Sequence, residues 1–354
     1  MNSPSTTGTQ GPREIARSSV RKIFWFVLSL AVWFAAQGAS ADPWKTVEPE
    51  IAGWSASTLA EARASSLALK PTALLIVQDG KVVASWGDVS RRVNVASVRK
   101  SLLSALYGIA ISEGRIDLGS TLAQLDIDDT PPRLTASEKQ ATVRDLLMSR
   151  SGVYHPAAYE TADIKRKRPP RGSHEPGTFW FYNNWDFNAL GTIYRKQTGE
   201  DIFRSFEKRI ARPLQMEDFS ARDGEYVTEK GSEHPAYPFR LSARDAARFG
   251  QLFLDGGRWD GRQVVPAAWV KEATTAYSFT KRGRQGYGYM WWSLPSEVWG
   301  ENAAYAAGYG GQVIAFLPSK RLVVVQTVDL RQNPKGIRTS SFLDLLKKIV
   351  AAAP

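Results

Sequence analysis

The chain contains no cysteine and only three histidines among its 354 residues. Without cysteine there can be no disulfide scaffold, no thiolate-ligated zinc or iron–sulfur cluster, and no thiol nucleophile. The three histidines, His155, His174 and His234, are scattered without ligand spacing. They read as loop or surface residues, so no metal or other cofactor is expected. There is no G-x-S-x-G nucleophile elbow and no H-E-x-x-H helix, which removes two common hydrolase templates. Charged residues make up 23% and hydrophobic residues 43% of the chain, which excludes fibrous and disordered classes.

A basic balance is what remains to be explained. The formal charge is +11, from 46 Lys and Arg against 35 Asp and Glu. Part of it lies at the N-terminus. Arg13, Arg17, Arg21 and Lys22 precede an apolar run, Ile23–Ala36, of 14 residues, and Ala39-Ser40-Ala41 supplies a small-x-small pattern. This is the layout of a secretory signal peptide over residues 1–41, cleaved after Ala41. An uncleaved anchor is the alternative; the run is shorter than the roughly 20 residues needed to span a bilayer, so cleavage is the expectation, with no stable membrane span after it. A periplasmic or secreted protein would follow. Cleavage removes four basic residues and Glu14, leaving 42 basic against 34 acidic, a net +8. The densest basic run, Lys165–Lys167 with Arg168 and Arg171, holds Pro169 and Pro170 and reads as a solvated loop. Nucleic acid is therefore not an expected partner. An anionic envelope polymer is the sharper alternative to a plain basic surface.

Residues 42–354 read as a single α/β domain of the α+β type. Thr72–Gln78 and Lys81–Trp86 flank Asp79-Gly80, a hairpin signal with type I′ chemistry. Gln312–Leu317 and Leu322–Val328 flank Pro318–Arg321 as a second hairpin, and Gly286–Trp292 reads as an aromatic strand. Ser101–Ser112, Asp186–Gln197, Asp201–Ile210 and Phe342–Val350 carry helical periodicity. The expectation is an antiparallel sheet built from both chain ends and flanked by helices. Its α/β part would cover about 44–110 and 235–354, with a mostly helical region inserted over about 111–234.

Three places could carry chemistry. Ser97-Val98-Arg99-Lys100 is one of four S-x-x-K matches, the others starting at Ser19, Ser205 and Ser278. Only Ser97 stands where an extended segment enters an apolar helix. There, i and i+3 share a face, so a neutral Lys100 could serve as base to the Ser97 hydroxyl, and the Ser97 N–H could face an oxyanion. A simple N-cap serine is the alternative. Tyr182-Asn183-Asn184 opens the next long helix. Tyr182 could shuttle a proton and Asn184 could hold a substrate carbonyl and the lysine together, or the pair could be core aromatic and cap. Ala307-Gly308-Tyr309-Gly310-Gly311-Gln312 places three glycines at a strand entry, where a ligand can approach the backbone. The alternative there is a bulge or loop.

The order S-x-x-K, Y-x-N, Gly-rich strand entry resembles the serine β-lactamase-like family. That family includes class C β-lactamases, DD-carboxypeptidases, related esterases and 6-aminohexanoate-dimer hydrolases. Thr142–Gly152 (TVRDLLMSRSG) is similar to the family's T-x-x-x-L-L-x-H-x-S-G stretch. Pro176–Asn184, Leu190-Gly191 and Pro213–Met216 resemble its P-G-x-x-F-x-Y-S-N, L-G and P-L-G-M segments. The resemblance covers about residues 70–330 and implies a β-lactamase/transpeptidase-like fold. It also implies an acylated Ser97, with Lys100 and Tyr182 in proton transfer. Asn184, Tyr309, Gly311 and Gln312 would bind substrate, and the second oxyanion N–H would belong to Gly311 or Gln312. The chain departs from the family where it has Ser149 in place of a histidine and Asn183 in place of a serine. The third motif, Lys or His followed by Ser or Thr and Gly, would fall on Gly308-Tyr309-Gly310 or Tyr309-Gly310-Gly311, with no cation in either. The expected substrate is a small ester or non-β-lactam amide. A β-lactamase or DD-peptidase, and a non-catalytic envelope-ligand binder of the same fold, are the alternatives.

Overall fold

The computed structural model describes residues 44–280 and 284–354. The signal-like segment lies outside them. Among the described residues, no helix is long and apolar enough to cross a membrane.

Eight strands form one antiparallel sheet. In chain order they are β1 (Ala73–Gln78), β2 (Lys81–Gly87), β3 (Ser278–Phe279), β4 (Gly286–Tyr287), β5 (Trp292–Ser293), β6 (Ala304–Gly308), β7 (Gln312–Leu317) and β8 (Leu322–Thr327). Their spatial order is β2-β1-β8-β7-β6-β5-β4-β3. The two ends of the chain meet where β1 pairs with β8, Ala73 opposite Thr327 and Gln78 opposite Leu322. Asp79 and Gly80 both have positive φ, 47° and 70°, as a type I′ hairpin between right-twisted strands requires. Strands β1, β7 and β8 are buried on both faces. This explains why ALLIVQ and LVVVQT show no alternation of apolar and polar residues.

The helices that matter here are α1 (Ala56–Leu69), α2 (Val98–Ser112), α3 (Asn184–Thr198), α4 (Ala243–Leu254) and α5 (Thr339–Ala352). Helices α1 and α5 pack on each other, while α4 lies against β7 and β8. Residues 111–234 contribute no strand to the sheet. Helix α2 is buried from Val98 to Ala110 and joins the sheet to this inserted region. Leu102, Leu103 and Leu106 are fully enclosed, each stabilising the fold by about 1.5–3 kcal/mol relative to exposure. Its hydroxyls also tie it down. Ser101 Oγ donates to the Met290 carbonyl and Ser104 Oγ to that of Tyr289, both at 2.7 Å. Tyr107 OH donates to the Leu190 carbonyl of α3 at 2.7 Å.

Four local readings differ from the sequence expectation. Gly286–Trp292 is two short strands around a turn, not one strand. Met290 takes φ 63°, and the N–H groups of Tyr289 and Met290 leave the sheet for the carbonyls of Ala273 and Leu147. The helix predicted over Asp201–Ile210 ends as an α-helix at Phe206 and continues as a single wider π turn, Glu207–Ala211. The basic run is not a free loop. Thr161 caps a short helix, Ala162–Lys167, after which Arg168 pairs with the enclosed Glu160 and Arg171 grips Glu138 at 2.7 Å. Finally, His155 and His234 lie in loops as expected but are buried rather than at the surface, held by the Pro132 carbonyl and by Thr192 Oγ1.

Candidate functional site

The site is built at the N-terminus of α2. Val93 and Asn94 pair with Leu241 and Arg240, and Asn94 Oδ1 accepts the Ala96 N–H at 2.9 Å. Ala96 then adopts a left-handed φ of 47°, a strained state for a residue with a Cβ. The chain thereby turns abruptly from extended to helical and presents Ser97 at the corner. Ser97 caps no backbone N–H with its side chain, unlike an ordinary N-cap serine. The first-turn N–H groups of Val98, Arg99 and Lys100 reach the carbonyls of Val95, Ala96 and Ser97 instead. The Ser97 hydroxyl is left to Lys100.

Lys100 Nζ lies 2.9 Å from Ser97 Oγ, 2.7 Å from Tyr182 OH and 2.7 Å from Asn184 Oδ1. It also sits 4.2 and 4.4 Å from the ring centroids of Tyr182 and Phe187. Its side chain is 1% exposed. Burial pushes its pKa well below that of a free lysine, the Arg99 guanidinium pushes the same way, and Glu160 opposes both. A neutral amine has two N–H bonds and one lone pair. Asn184 Oδ1 can only accept, so it takes one N–H. The other N–H and the lone pair then fall to the two hydroxyls, and one of Ser97 and Tyr182 must donate its proton to Nζ. The arrangement therefore allows a proton to move between Ser97 and Tyr182 through Lys100.

Two buried polar clusters hold Tyr182 in place. Ser149, standing where the family has a histidine, donates from Oγ to the Phe181 carbonyl at 2.6 Å and accepts the Asn183 N–H at 2.9 Å. Its backbone carbonyl takes the Phe181 N–H. Asn183, standing where the family has a serine, caps the Trp185 N–H. It also donates to the Val153 carbonyl and to Asp186 Oδ1, both at 2.7 Å. Ser151 donates to the same Asp186 carboxylate. The Tyr182 ring stacks on Trp292, centroids 5.6 Å apart, and meets Tyr287 edge-on. The serines of TVRDLLMSRSG thus act as braces for the tyrosine segment, a role the sequence did not reveal.

The glycine-rich entry sits differently from either register considered above. Gly308 ends β6 and is set against Ser97. A Cβ built on it would lie 2.2 Å from the Val95 carbonyl oxygen and 3.1 Å from Ser97 N. The residues before it are Ala306 and Ala307, so the strand brings no cation to Ser97. Gly311 is not positioned as an oxyanion donor, because its N–H turns back to the Gly308 carbonyl at 3.3 Å to close the hairpin. Gln312 pairs with Gly308 in the ladder, and its side-chain amide is occupied by the Val328 backbone. Tyr309, 65% exposed, follows Gly308 at the rim. Ser97, Tyr182, Gly308 and Tyr309 all line one cleft of about 1030 Å³. Trp292, Trp299, Tyr305 and Leu343 make much of its wall apolar.

A serine beside a buried lysine and a tyrosine, at the end of the inner strand β6, is the arrangement that the S-x-x-K and Y-x-N resemblance implied. The chain belongs to the Beta-lactamase family, which matches it over residues 59–341. The 6-aminohexanoate-dimer hydrolase of Paenarthrobacter ureafaciens is 25% identical over 257 residues, covering 64% of this chain and 64% of that protein. Among solved structures, a family VIII carboxylesterase matches with a TM-score of 0.63 at 17% identity, over 84% of this chain and 97% of that one. The octameric penicillin-binding protein homologue from Pyrococcus abyssi matches with a TM-score of 0.58 at 18% identity, over 76% and 72%. These structural likenesses establish the fold.

Proposed function

We propose that the protein is an exported serine hydrolase that cleaves an ester or a non-β-lactam amide through an acyl-enzyme on Ser97. The observation that carries this reading is the triple contact of a buried Lys100 with Ser97, Tyr182 and Asn184. Ser97 Oγ attacks the substrate carbonyl as its proton passes to Lys100 Nζ. The N–H groups of Ser97 and Tyr309 receive the oxyanion. Neither donates to a backbone carbonyl among the described residues, and Gly308, the residue before Tyr309, fits closely against Ser97. Tyr182 OH gives its proton to the leaving oxygen or nitrogen and recovers one through Lys100. Water then attacks the acyl carbon by the reverse path and releases the acid and Ser97.

The aromatic part of the cleft lining and the cation-free strand beside Ser97 support this substrate class, while Lys335, Arg338 and Lys347 also line the cleft. An aromatic wall suits an apolar acyl or alcohol group. With Ala306-Ala307 ahead of Gly308, the strand offers no positive side chain to the carboxylate that a β-lactam carries. The carboxylesterase and 6-aminohexanoate-dimer hydrolase relatives are consistent with an ester or a linear amide. A fluorophosphonate acyl-serine probe should label the wild-type protein and spare Ser97→Ala. Equal labelling of both would remove Ser97 from the reaction. Export rests on the Arg13–Ala41 pattern alone, and a mature N-terminus at Asp42 in the protein purified from its host is the expected result.

A further inference from the structure

Arg99 is the residue of the S-x-x-K segment that the reaction above does not use. Its side chain is 1% exposed, and a guanidinium keeps its charge in any protein environment. Its neighbours are neutral. Nη2 donates to Asn188 Oδ1 at 3.1 Å, and the guanidinium carbon lies 4.3 Å from the Tyr237 ring centroid and 5.9 Å from that of Tyr159. Nε and Nη1 have no hydrogen-bond partner. Among the described residues no carboxylate forms an ion pair with it. A charge enclosed in this way is costly to the fold, and an apolar side chain of similar length would fill the same space. Its field is also poorly screened there, and the next residue in the chain is the lysine that must accept a proton.

We propose that Arg99 is a positioning residue for catalysis, acting through Lys100. Its permanent charge, with no ion-paired carboxylate, adds to the effect of burial and so helps to keep the lysine neutral and able to take the Ser97 proton. The other groups facing this pair define the balance. From α3 come Asn184 and Asn188, both neutral, and Asp186, whose carboxylate is engaged by Ser151 and Asn183. From the segment after Ala158 come Tyr159 and Glu160, from the one before α3 Tyr182, from the coil before Leu241 Tyr237, and from β4 Tyr287. Glu160 is the opposing charge. Its carboxylate is enclosed and paired with Arg168, and one of its oxygens has no partner. The lysine thus stands between a bare cation and an anion already neutralised by a second arginine, so the cation dominates.

The inference rests on Lys100 being the proton acceptor, and the test separates the two. The pH dependence of kcat/KM for p-nitrophenyl butyrate is measured for wild type, Arg99→Met, Arg99→Lys and Glu160→Gln. Activity requires neutral Lys100, so it falls as pH drops through the lysine's pKa. Removing the neighbouring positive charge raises that pKa, and Arg99→Met should move the acid limb up by about one pH unit or more, with the high-pH plateau retained. Arg99→Lys puts an amine in the same enclosure, where burial favours its neutral form, so it should move the limb in the same direction as Arg99→Met. Glu160→Gln removes the opposing charge and should move it down. An unmoved limb in Arg99→Met or an upward shift in Glu160→Gln would overturn the inference. A merely structural role would not move the limb. If Arg99→Met does not fold, Arg99→Gln, which removes the charge but keeps a donor for Asn188 Oδ1, takes its place in the same profile, and an unmoved limb in that variant overturns the inference. Failure of the nucleophile assignment would show separately, as probe labelling that survives Ser97→Ala.

Discussion

Replacing Gly308 with alanine tests the active-site geometry most directly. The new Cβ would lie 2.2 Å from the Val95 carbonyl oxygen, 3.1 Å from the Gln312 Cβ and 3.1 Å from Ser97 N. Two of the three are backbone atoms, which cannot swing away as a side chain can. Ordinary contact begins at about 3.4 Å, so the end of β6 must retreat from the Val95–Ser97 corner by about 1.2 Å. That motion carries the Tyr309 N–H away from the Ser97 N–H. A misplacement of about 1 Å costs on the order of 10²-fold in rate, and loss of one oxyanion donor costs a similar factor. The expected result is a fall in kcat/KM for p-nitrophenyl butyrate of about 100-fold, or about 2.7 kcal/mol of transition-state stabilisation. Overpacking should also lower stability by about 1–3 kcal/mol, so a control is needed. Gly257→Ala puts a Cβ 2.0 Å from the Val265 carbonyl oxygen, outside the cleft lining. It should reduce Tm while leaving kcat/KM close to wild type. If Gly308→Ala keeps activity within threefold of wild type, or if both variants lose activity equally, the strand does not supply the oxyanion contact.

Two further outcomes follow from the bonds around Tyr182. Tyr182→Phe keeps the stack on Trp292 but removes the hydroxyl that Lys100 contacts; kcat should fall by about 10²-fold or more with Tm nearly unchanged, and a kcat near wild type would exclude Tyr182 from proton transfer. Ser149→Ala leaves the Phe181 carbonyl and the Asn183 N–H without their buried partner, at a cost of about 1–3 kcal/mol each. A denaturant midpoint lowered at constant m-value is expected, and an unchanged midpoint would show that Ser149 does not brace the tyrosine segment.

Much of the fold was legible because its signals are local. The Asp79-Gly80 turn, the apolar strands on either side of it and the Gly199 cap of α3 depend on residues within a few positions of one another. The same holds for Ser97 and Lys100, whose i, i+3 spacing on a helix brings them together without help from the rest of the chain. The aromatic stretch Gly286–Trp292 was misread for the complementary reason. Its composition favours a strand, but Ala273, Leu147 and Ser101 draw its backbone groups into a turn, and all three are distant in sequence.

The sequence by itself determined the i, i+3 spacing of Ser97 and Lys100, the absence of thiol or metal-cysteine chemistry, and the order of the motifs. Only the tertiary structure decided which serine of the four S-x-x-K matches meets a tyrosine. Tyr182 is far from Lys100 in the chain, and Ser149, Ser151 and Asp186 bring it within 2.7 Å. Only the structure chose Gly308, with two alanines before it, as the residue against Ser97, because strand register depends on pairing across the sheet rather than on local sequence. It alone showed that Arg99 is enclosed. Burial and the lack of a counter-charge are properties of the assembled core, and they determine what a charge beside the reacting lysine can do.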